Sequence, residues 1–86
     1  MYSIDVRESA LKKFKVLERK DKKTLMQVRD KLAEITQNPE RYKPLRAPLQ
    51  NMRAVHIGHF VLIYSVDERA EKITVEEFDH HDRAYK

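Results

Sequence analysis

The stretch MRAVHIGHFVLIYSVDERAEKITVEEF, residues 52–78, decides the fold. It contains three runs rich in Val, Ile, Phe and Tyr, which are typical strand residues. The runs are separated by Gly58-His59 and by a polar stretch from Asp67 to Glu71. Glycine at the first position of a two-residue loop favours a type II′ turn, and therefore a hairpin. We predict three consecutive strands joined by two turns.

The two-residue turn also fixes which strand residues face each other. With Gly58 and His59 in the turn, the pairs run outward as Ile57–Phe60, His56–Val61, Val55–Leu62 and Ala54–Ile63. One face of the hairpin is then apolar, and we expect it to pack on helices: Val55, Ile57, Phe60 and Leu62. His56 falls on the opposite face with Ala54, Val61 and Ile63. Because residues 60–64 are apolar on both faces, we predict that their strand is central in the sheet.

The residues before this stretch predict one strand and two helices. Residues 2–6 alternate between apolar and polar side chains, which indicates a half-buried strand. Ser9 and Asp21 are the predicted N-caps of the two helices, and Asn38-Pro39 ends the second helix. Each helix carries an apolar stripe, and we assign all eight stripe residues to the core: Ala10, Leu11, Phe14, Leu17, Leu25, Val28, Leu32 and Ile35.

The order of these elements predicts the fold class. Few polar residues separate the two helices, so the helices should form an antiparallel hairpin. Residues 39–51 carry all three prolines and no periodicity, which predicts a loop. The complete order is β-α-α-β-β-β, an α+β fold whose helix hairpin packs on one face of a small, largely antiparallel sheet. A chain of 86 residues supports one core, and we predict a single domain over residues 1–86.

Composition excludes some classes of protein to which this chain could belong. The chain has no cysteine, which excludes a disulfide framework and a thiolate zinc site. Its first residues lack the apolar segment of a signal peptide and no run is long enough to span a membrane, so we expect a soluble cytoplasmic protein. Residues 1–53 hold 14 Lys/Arg against 7 Asp/Glu, whereas residues 54–86 hold 4 against 7. The basic first half suits a polyanion or an acidic partner, or it is simply the solvated face of Lys-rich helices.

The histidines are the residues best suited to chemistry. RNA cleavage through its own 2′-hydroxyl needs a group that takes the 2′ proton, a group that protonates the 5′ oxygen, and positive charge at the phosphate. For proton transfer the chain offers His56, His80 and His81. Arg46 and Arg53 could contact the phosphate, and an exposed Tyr85 could stack on a base.

Other interpretations of these residues stay open at this point. The run Asp79-His80-His81-Asp82 contains good metal ligands, but adjacent histidines usually point apart, and we predict neither a metal nor another cofactor. The two arginines could instead pair with acids such as Glu40 or Glu77. Tyr85 could pack on the core, and His56 could be an idle surface residue.

The element order β-α-α-β-β-β, the chain length and the segment RAVHIGHFVLIY, residues 53–64, resemble the RelE/ParE superfamily of toxins from toxin–antitoxin pairs. In many members of that superfamily YRVRVGDYRVIY fills the place of this segment. The typical RelE arginine is replaced by Val61, and basic residues of the preceding strand by Ala54 and His56. The sequence is closer to the histidine-bearing YafQ type, with its segments HPLQ, AHV and THxxLF. Here these places hold APLQ (47–50), VHI (55–57) and HHDRAY (80–85).

The resemblance implies roles for particular residues. By this match His56 is a site histidine, His81 is the general acid, and Tyr85 takes the place of the aromatic residue. The first histidine of the YafQ pattern is Ala47 here, and His80 is the expected substitute. Arg83 lies within the matched segment and joins the expected phosphate contacts. Asp79 or Asp82 should hold His81 protonated, because a nearby carboxylate favours the imidazolium.

The resemblance also implies a function and partners. It predicts a metal-independent endoribonuclease that cleaves messenger RNA on the ribosome and is silenced by a RelB-like antitoxin in a hetero-oligomer. We expect an acidic or amphipathic antitoxin segment to cover the basic helices and an exposed patch of Val61 and Ile63. One alternative is a ParE-like toxin that inhibits a type II topoisomerase by binding. Another is a degenerate member that only binds, since Val61 removes one expected cation. The histidine cluster favours the nuclease.

Overall fold

The computed structural model describes residues 2–49 and 51–84. Its elements are β1 (Ser3–Val6), α1 (Glu8–Lys20), α2 (Lys22–Gln37), β2 (Met52–Ile57), β3 (Phe60–Asp67) and β4 (Lys72–His80). The predicted order β-α-α-β-β-β and the α+β class are therefore confirmed. In this described part of the chain, neither helix is long and apolar enough to cross a lipid bilayer.

The ends of the helices agree with the sequence in part. Asp21 caps α2, because its carboxylate accepts hydrogen bonds from the Thr24 backbone N–H at 3.1 Å and the Thr24 hydroxyl at 2.6 Å. The helix ends at Gln37, directly before Asn38-Pro39 as predicted. Ser9, however, is not the N-cap of α1. That helix begins at Glu8, since Arg7 donates its backbone N–H to Val75 and leads straight from β1 into the helix.

The two helices pack on one face of the sheet, called the inner face here. The main core lies between them, and its buried residues are Ala10, Phe14, Leu17, Val28, Ile35, Val55, Ile57, Leu62, Tyr64, Ile73, Val75 and Phe78. Leu25 and Leu32 are partly buried against this core. Leu11 is 41% exposed, so its assignment to the core is wrong. It lies on the solvent side of α1, whereas Ala10, Phe14 and Leu17 line the side that meets the sheet.

The sheet has the strand order β1-β4-β3-β2, with β1 parallel to β4 and the other neighbours antiparallel. All four residue pairs predicted for the hairpin are present, from Ile57–Phe60 to Ala54–Ile63. Gly58 has φ of 60°, which the first position of a type II′ turn requires. Strand β3 has a neighbour on each side and is central, as predicted from its apolar character.

The other face of the sheet, the outer face, is covered at Val61 and Ile63. Val61 and Ile63 are 0% and 4% exposed, so the prediction of an exposed patch at these residues is wrong. They form a second cluster with Ala84, against which Leu45, Met52 and Ala54 pack. The loop after α2 and the turn after β4 thus cover the outer face around Val61 and Ile63. The physical reason is that a strand apolar on both faces needs cover on both, and segments distant in the chain supply it.

Candidate functional site

His56 marks one side of the candidate site. It is an exposed residue of the edge strand β2 and opposes Val61, which in turn opposes Asp79. The three residues therefore form a row across β2, β3 and β4. Two strand spacings separate its ends, which places the Cα atoms of His56 and Asp79 about 10 Å apart.

His81 lies just beyond the end of β4, in a turn formed by residues 81–84. Its backbone N–H donates to the His59 carbonyl at 3.1 Å, which ties this turn to the hairpin turn between β2 and β3. The side chain pairs with Asp82, with 3.2 Å between Nδ1 and Oδ1. Of the two acids expected to hold His81, Asp82 is the one in contact. The pairing occupies Nδ1, so that Nε2 is the nitrogen left to meet a substrate.

Asp79 fastens the turn to the rest of the protein instead. Its carboxylate accepts the His80 backbone N–H at 2.8 Å and pairs with Lys13 Nζ at 3.1 Å and Arg83 Nη2 at 3.4 Å. Its side chain is only 20% exposed. Burial opposes ionisation, but the hydrogen bonds from His80 and Lys13 and the charges of Lys13 and Arg83 outweigh it and hold the pKa of Asp79 below its ordinary value. Through these contacts the Asp79 carboxylate links α1, β4 and the turn of residues 81–84.

His80 has different surroundings from its neighbour His81. Its ring lies against the ring of Phe60, with the centroids 4.5 Å apart and the planes inclined at 33°. Phe60 packs against the main core, so His80 lies on the inner side of the sheet end. His80 therefore does not lie on the outer face with His56.

The predicted cations are also divided. Arg53 alternates with Ala54 and shares the inner side with Val55, and its guanidinium donates to the backbone carbonyls of Tyr42 and Glu40. It holds the loop after α2 and does not share a face with His56. Arg46 is exposed in the same loop, next to Leu45, which packs on the outer face. Arg83 is 62% exposed in the turn that carries His81, and Tyr85 lies outside the described residues.

Arg53 also lines a polar cavity of about 530 Å³ at the far end of the sheet. Acids surround it there, among them Glu40, Asp67 and Glu68. A side-chain hydrogen bond with Glu40, together with the negative charge of that residue, raises the pKa of Glu68. An acidic cavity suits a phosphate poorly, and we place the candidate site at the end that carries His56 and His81.

The outer side of β4 adds acids that the sequence did not suggest for a site. A β-bulge between Ile63 and Tyr64 pairs Ile63 with Glu77 and Tyr64 with Val75, which leaves Glu76 as the extra residue. Glu76 accepts the Ser65 hydroxyl at 2.6 Å and pairs with Arg7. Glu77 pairs with Lys13 at 3.3 Å.

Arg7 and Lys13 thus neutralise carboxylates that would otherwise repel an anion. Nothing in the sequence signals these pairs, because they depend on the bulge and on where α1 crosses β4. Among residues 2–49 and 51–84, no three His, Asp or Glu side chains converge as metal ligands do.

The arrangement therefore places His56 and His81, both exposed, at one end of the sheet. The turn that carries His81 also carries Arg83, and Ala84 of the same turn packs on Val61 and Ile63. Histidine can take or give a proton near neutral pH. Arg83 lies two residues from His81 and can contact an anion held there. This set can carry out acid–base chemistry at a phosphate.

The chain is similar to a family of toxins and to two archaeal proteins. The family model described as "ParE toxin of type II toxin-antitoxin system, parDE" matches residues 4–85. A relative from Methanocaldococcus jannaschii named "Putative toxin RelE4" is 45% identical over 87 residues, covering 100% of this chain and 93% of that protein. An uncharacterized protein from Methanosarcina mazei is 44% identical over 86 residues, covering 99% of this chain and 100% of that protein.

Among solved structures, the intact RelBE toxin–antitoxin complex of E. coli contains a chain of similar fold. The TM-score is 0.81 and the sequence identity is 20%, with 96% of this chain and 100% of that chain covered. Identity at this level supports the fold alone.

Proposed function

Because the chain belongs to the ParE toxin family of type II toxin–antitoxin systems, we propose that it is an endoribonuclease that cleaves messenger RNA on the ribosome. The observation that carries the proposal is the exposure of His56 and His81 at the same end of the sheet. Histidines placed on opposite sides of a phosphate are the groups that RNA cleavage needs. The proposed target places the action of the toxin in the cytoplasm.

The proposed mechanism moves two protons. His56 takes the proton from the 2′-hydroxyl, and the 2′ oxygen attacks the adjacent phosphorus. The bond to the 5′ oxygen breaks, and His81 donates its Nε2 proton to that leaving oxygen. Arg83 and Arg46 stabilise the crowded phosphate, and Tyr85 contacts a neighbouring base. The product ends are a 2′,3′-cyclic phosphate and a free 5′-hydroxyl, and no step requires a metal.

The proposed regulator is a RelB-like antitoxin that forms a hetero-oligomer with the toxin. The similar E. coli chain was solved in a toxin–antitoxin complex, and the helix hairpin here is rich in lysine and arginine. Since Val61 and Ile63 are buried, they cannot serve as its docking patch. Leu11, Val16 and Met26 of the helices are 41%, 41% and 63% exposed and offer apolar contacts beside those cations. An acidic, amphipathic segment matches this surface.

A second candidate function is inhibition of a type II topoisomerase by binding. The name of the matching family model favours it. This activity requires no histidine at the sheet end, so His56 and His81 separate the two functions. A supercoiling assay with purified topoisomerase tests the alternative directly.

The nuclease proposal is tested with His81→Ala, His80→Ala, the double variant and His56→Ala. Each is assayed for messenger cleavage on ribosomes, after its fold and antitoxin binding have been shown to be intact. Loss of the general acid or base should slow cleavage by about 10²- to 10⁴-fold. His59→Ala is the matched control, because His59 is an exposed histidine in the hairpin turn. The histidine mechanism is wrong if His81→Ala, His80→Ala and the double variant all cut at the parent rate.

The same assay tests the proposed independence from metal. Toxin stripped with EDTA and returned to magnesium-containing ribosomes should cleave at the rate of untreated toxin. Loss of activity that zinc alone restores would contradict this part of the proposal.

A further inference from the structure

Three rings form a column at the end of β4. Phe78 stacks on Phe60 with the centroids 4.8 Å apart and the planes 12° from parallel. His80 lies on Phe60 at 4.5 Å. Phe14 of α1 meets Phe78 edge-on at 5.1 Å and fixes the base of the column. Phe78 is fully buried, Phe60 is half-buried and His80 is exposed, so the column rises from the core to the surface.

The outer part of the column borders a groove of about 220 Å³ between α1 and the end of the sheet. Val16, Leu17 and the two phenylalanines provide its apolar walls. At its rim lie two cations, Lys13 and Arg83, and one acid, Asp79, which pairs with both of them. An aromatic surface beside cations is the combination by which proteins hold single-stranded nucleic acids, because every base has a face that can stack.

We propose that His80 is a platform on which a base of the RNA substrate stacks, and that it takes no part in proton transfer. This inference rests on the proposed nuclease function, which makes RNA the ligand. His80 and His81 are adjacent, so a nucleotide stacked on His80 has its own phosphate within reach of His81. The column thus sets the position of the RNA, and His81 acts on the phosphate that this position selects.

The substitutions that test the platform differ in whether they keep a ring. His80→Phe keeps a flat aromatic face, whereas His80→Leu covers Phe60 with a side chain of similar bulk and no ring. His80→Ala removes both, and His59→Ala is the matched control in the neighbouring turn. Thermal unfolding by circular dichroism establishes that each variant is folded at the assay temperature. His80→Leu keeps the test decisive if His80→Ala does not fold.

Binding is measured by fluorescence anisotropy with a single-stranded RNA that carries 2′-O-methyl groups throughout and therefore cannot be cleaved. His80→Leu and His80→Ala should bind about 5- to 140-fold more weakly than the parent. His80→Phe and His59→Ala should stay within about twofold of the parent. In cleavage assays, His80→Leu should raise KM and leave kcat nearly unchanged, because stacking contributes to binding rather than to proton transfer.

The outcomes separate this inference from the nuclease proposal. Any of three results would refute the platform. His80→Leu could bind the RNA as tightly as the parent, His80→Phe could bind as weakly as His80→Leu, or the parent could fail to bind this RNA. Ring-dependent binding without cleavage of unmodified messenger would leave the platform standing and refute the nuclease. Cleavage whose kcat falls in His80→Phe would show that His80 transfers a proton and would overturn the platform.

Discussion

Asp79→Asn removes the charge that anchors the turn carrying His81. The variant keeps an oxygen that can accept the His80 backbone N–H, but it loses the ion pairs to Lys13 at 3.1 Å and Arg83 at 3.4 Å. Lys13 and Arg83 are themselves 39% and 62% exposed, so solvent weakens both pairs. The change therefore tests how firmly α1 holds the C-terminal turn.

The magnitude follows from these contacts. Each partly exposed ion pair contributes about 0.2–1 kcal/mol, and the hydrogen bond from His80 loses part of its charge-assisted strength. The total loss in the free energy of unfolding should be about 1–2 kcal/mol. For a domain of this size, that corresponds to a fall in Tm of about 5–15 °C.

The pH dependence gives the sharper result. The pKa of Asp79 is held below its ordinary value of 3.8, so its contribution to stability is fully present above that value and disappears as the pH falls through the folded pKa. Urea unfolding should show the full difference between parent and Asp79→Asn at pH 6, and this difference should shrink below about pH 4. Asp82→Asn is the matched control, because Asp82 is 80% exposed and should matter little to stability. A gap that is equal at pH 6 and pH 3, or a larger effect of Asp82→Asn, would refute the anchoring role.

Two further predictions concern the outer face and the partner. Val61→Arg restores the arginine typical of RelE, but position 61 is buried under Leu45 and Ala84. Because a buried charge without a partner is costly, the variant should lose at least about 3 kcal/mol of stability and gain no cleavage activity. A folded and more active variant would contradict the burial argument. Antitoxin binding should lower the accessibility of His81 and Arg46, measured by the rates at which diethylpyrocarbonate modifies His81 and phenylglyoxal modifies Arg46 in free and bound toxin. Equal rates would count against direct masking of the site.

The sequence alone determined most of the fold. The Gly58-His59 turn fixed the register of β2 and β3, because the side-chain period of a strand leaves one arrangement with an apolar face towards the helices. Asp21 fixed the start of α2 through a local hydrogen bond to Thr24. These features were predictable because they depend on residues close together in the chain. Ser9 and Leu11 were misassigned because β1 and the packing direction of α1 govern that region, rather than its own pattern.

The arrangement of the site residues depended on the tertiary structure more than the fold did. Sequence could name His56 and His81 as candidates, but it could not show that Arg53 donates to the carbonyls of Tyr42 and Glu40 or that His80 stacks on Phe60. It also missed Lys13, whose role arises where α1 passes the end of β4. The burial of Val61 and Ile63 was decided by Leu45 and Ala84, which lie 16 to 23 residues away from them in the chain. Such contacts form between segments that no local pattern connects, because burial of apolar area is non-directional and any nearby segment can provide it.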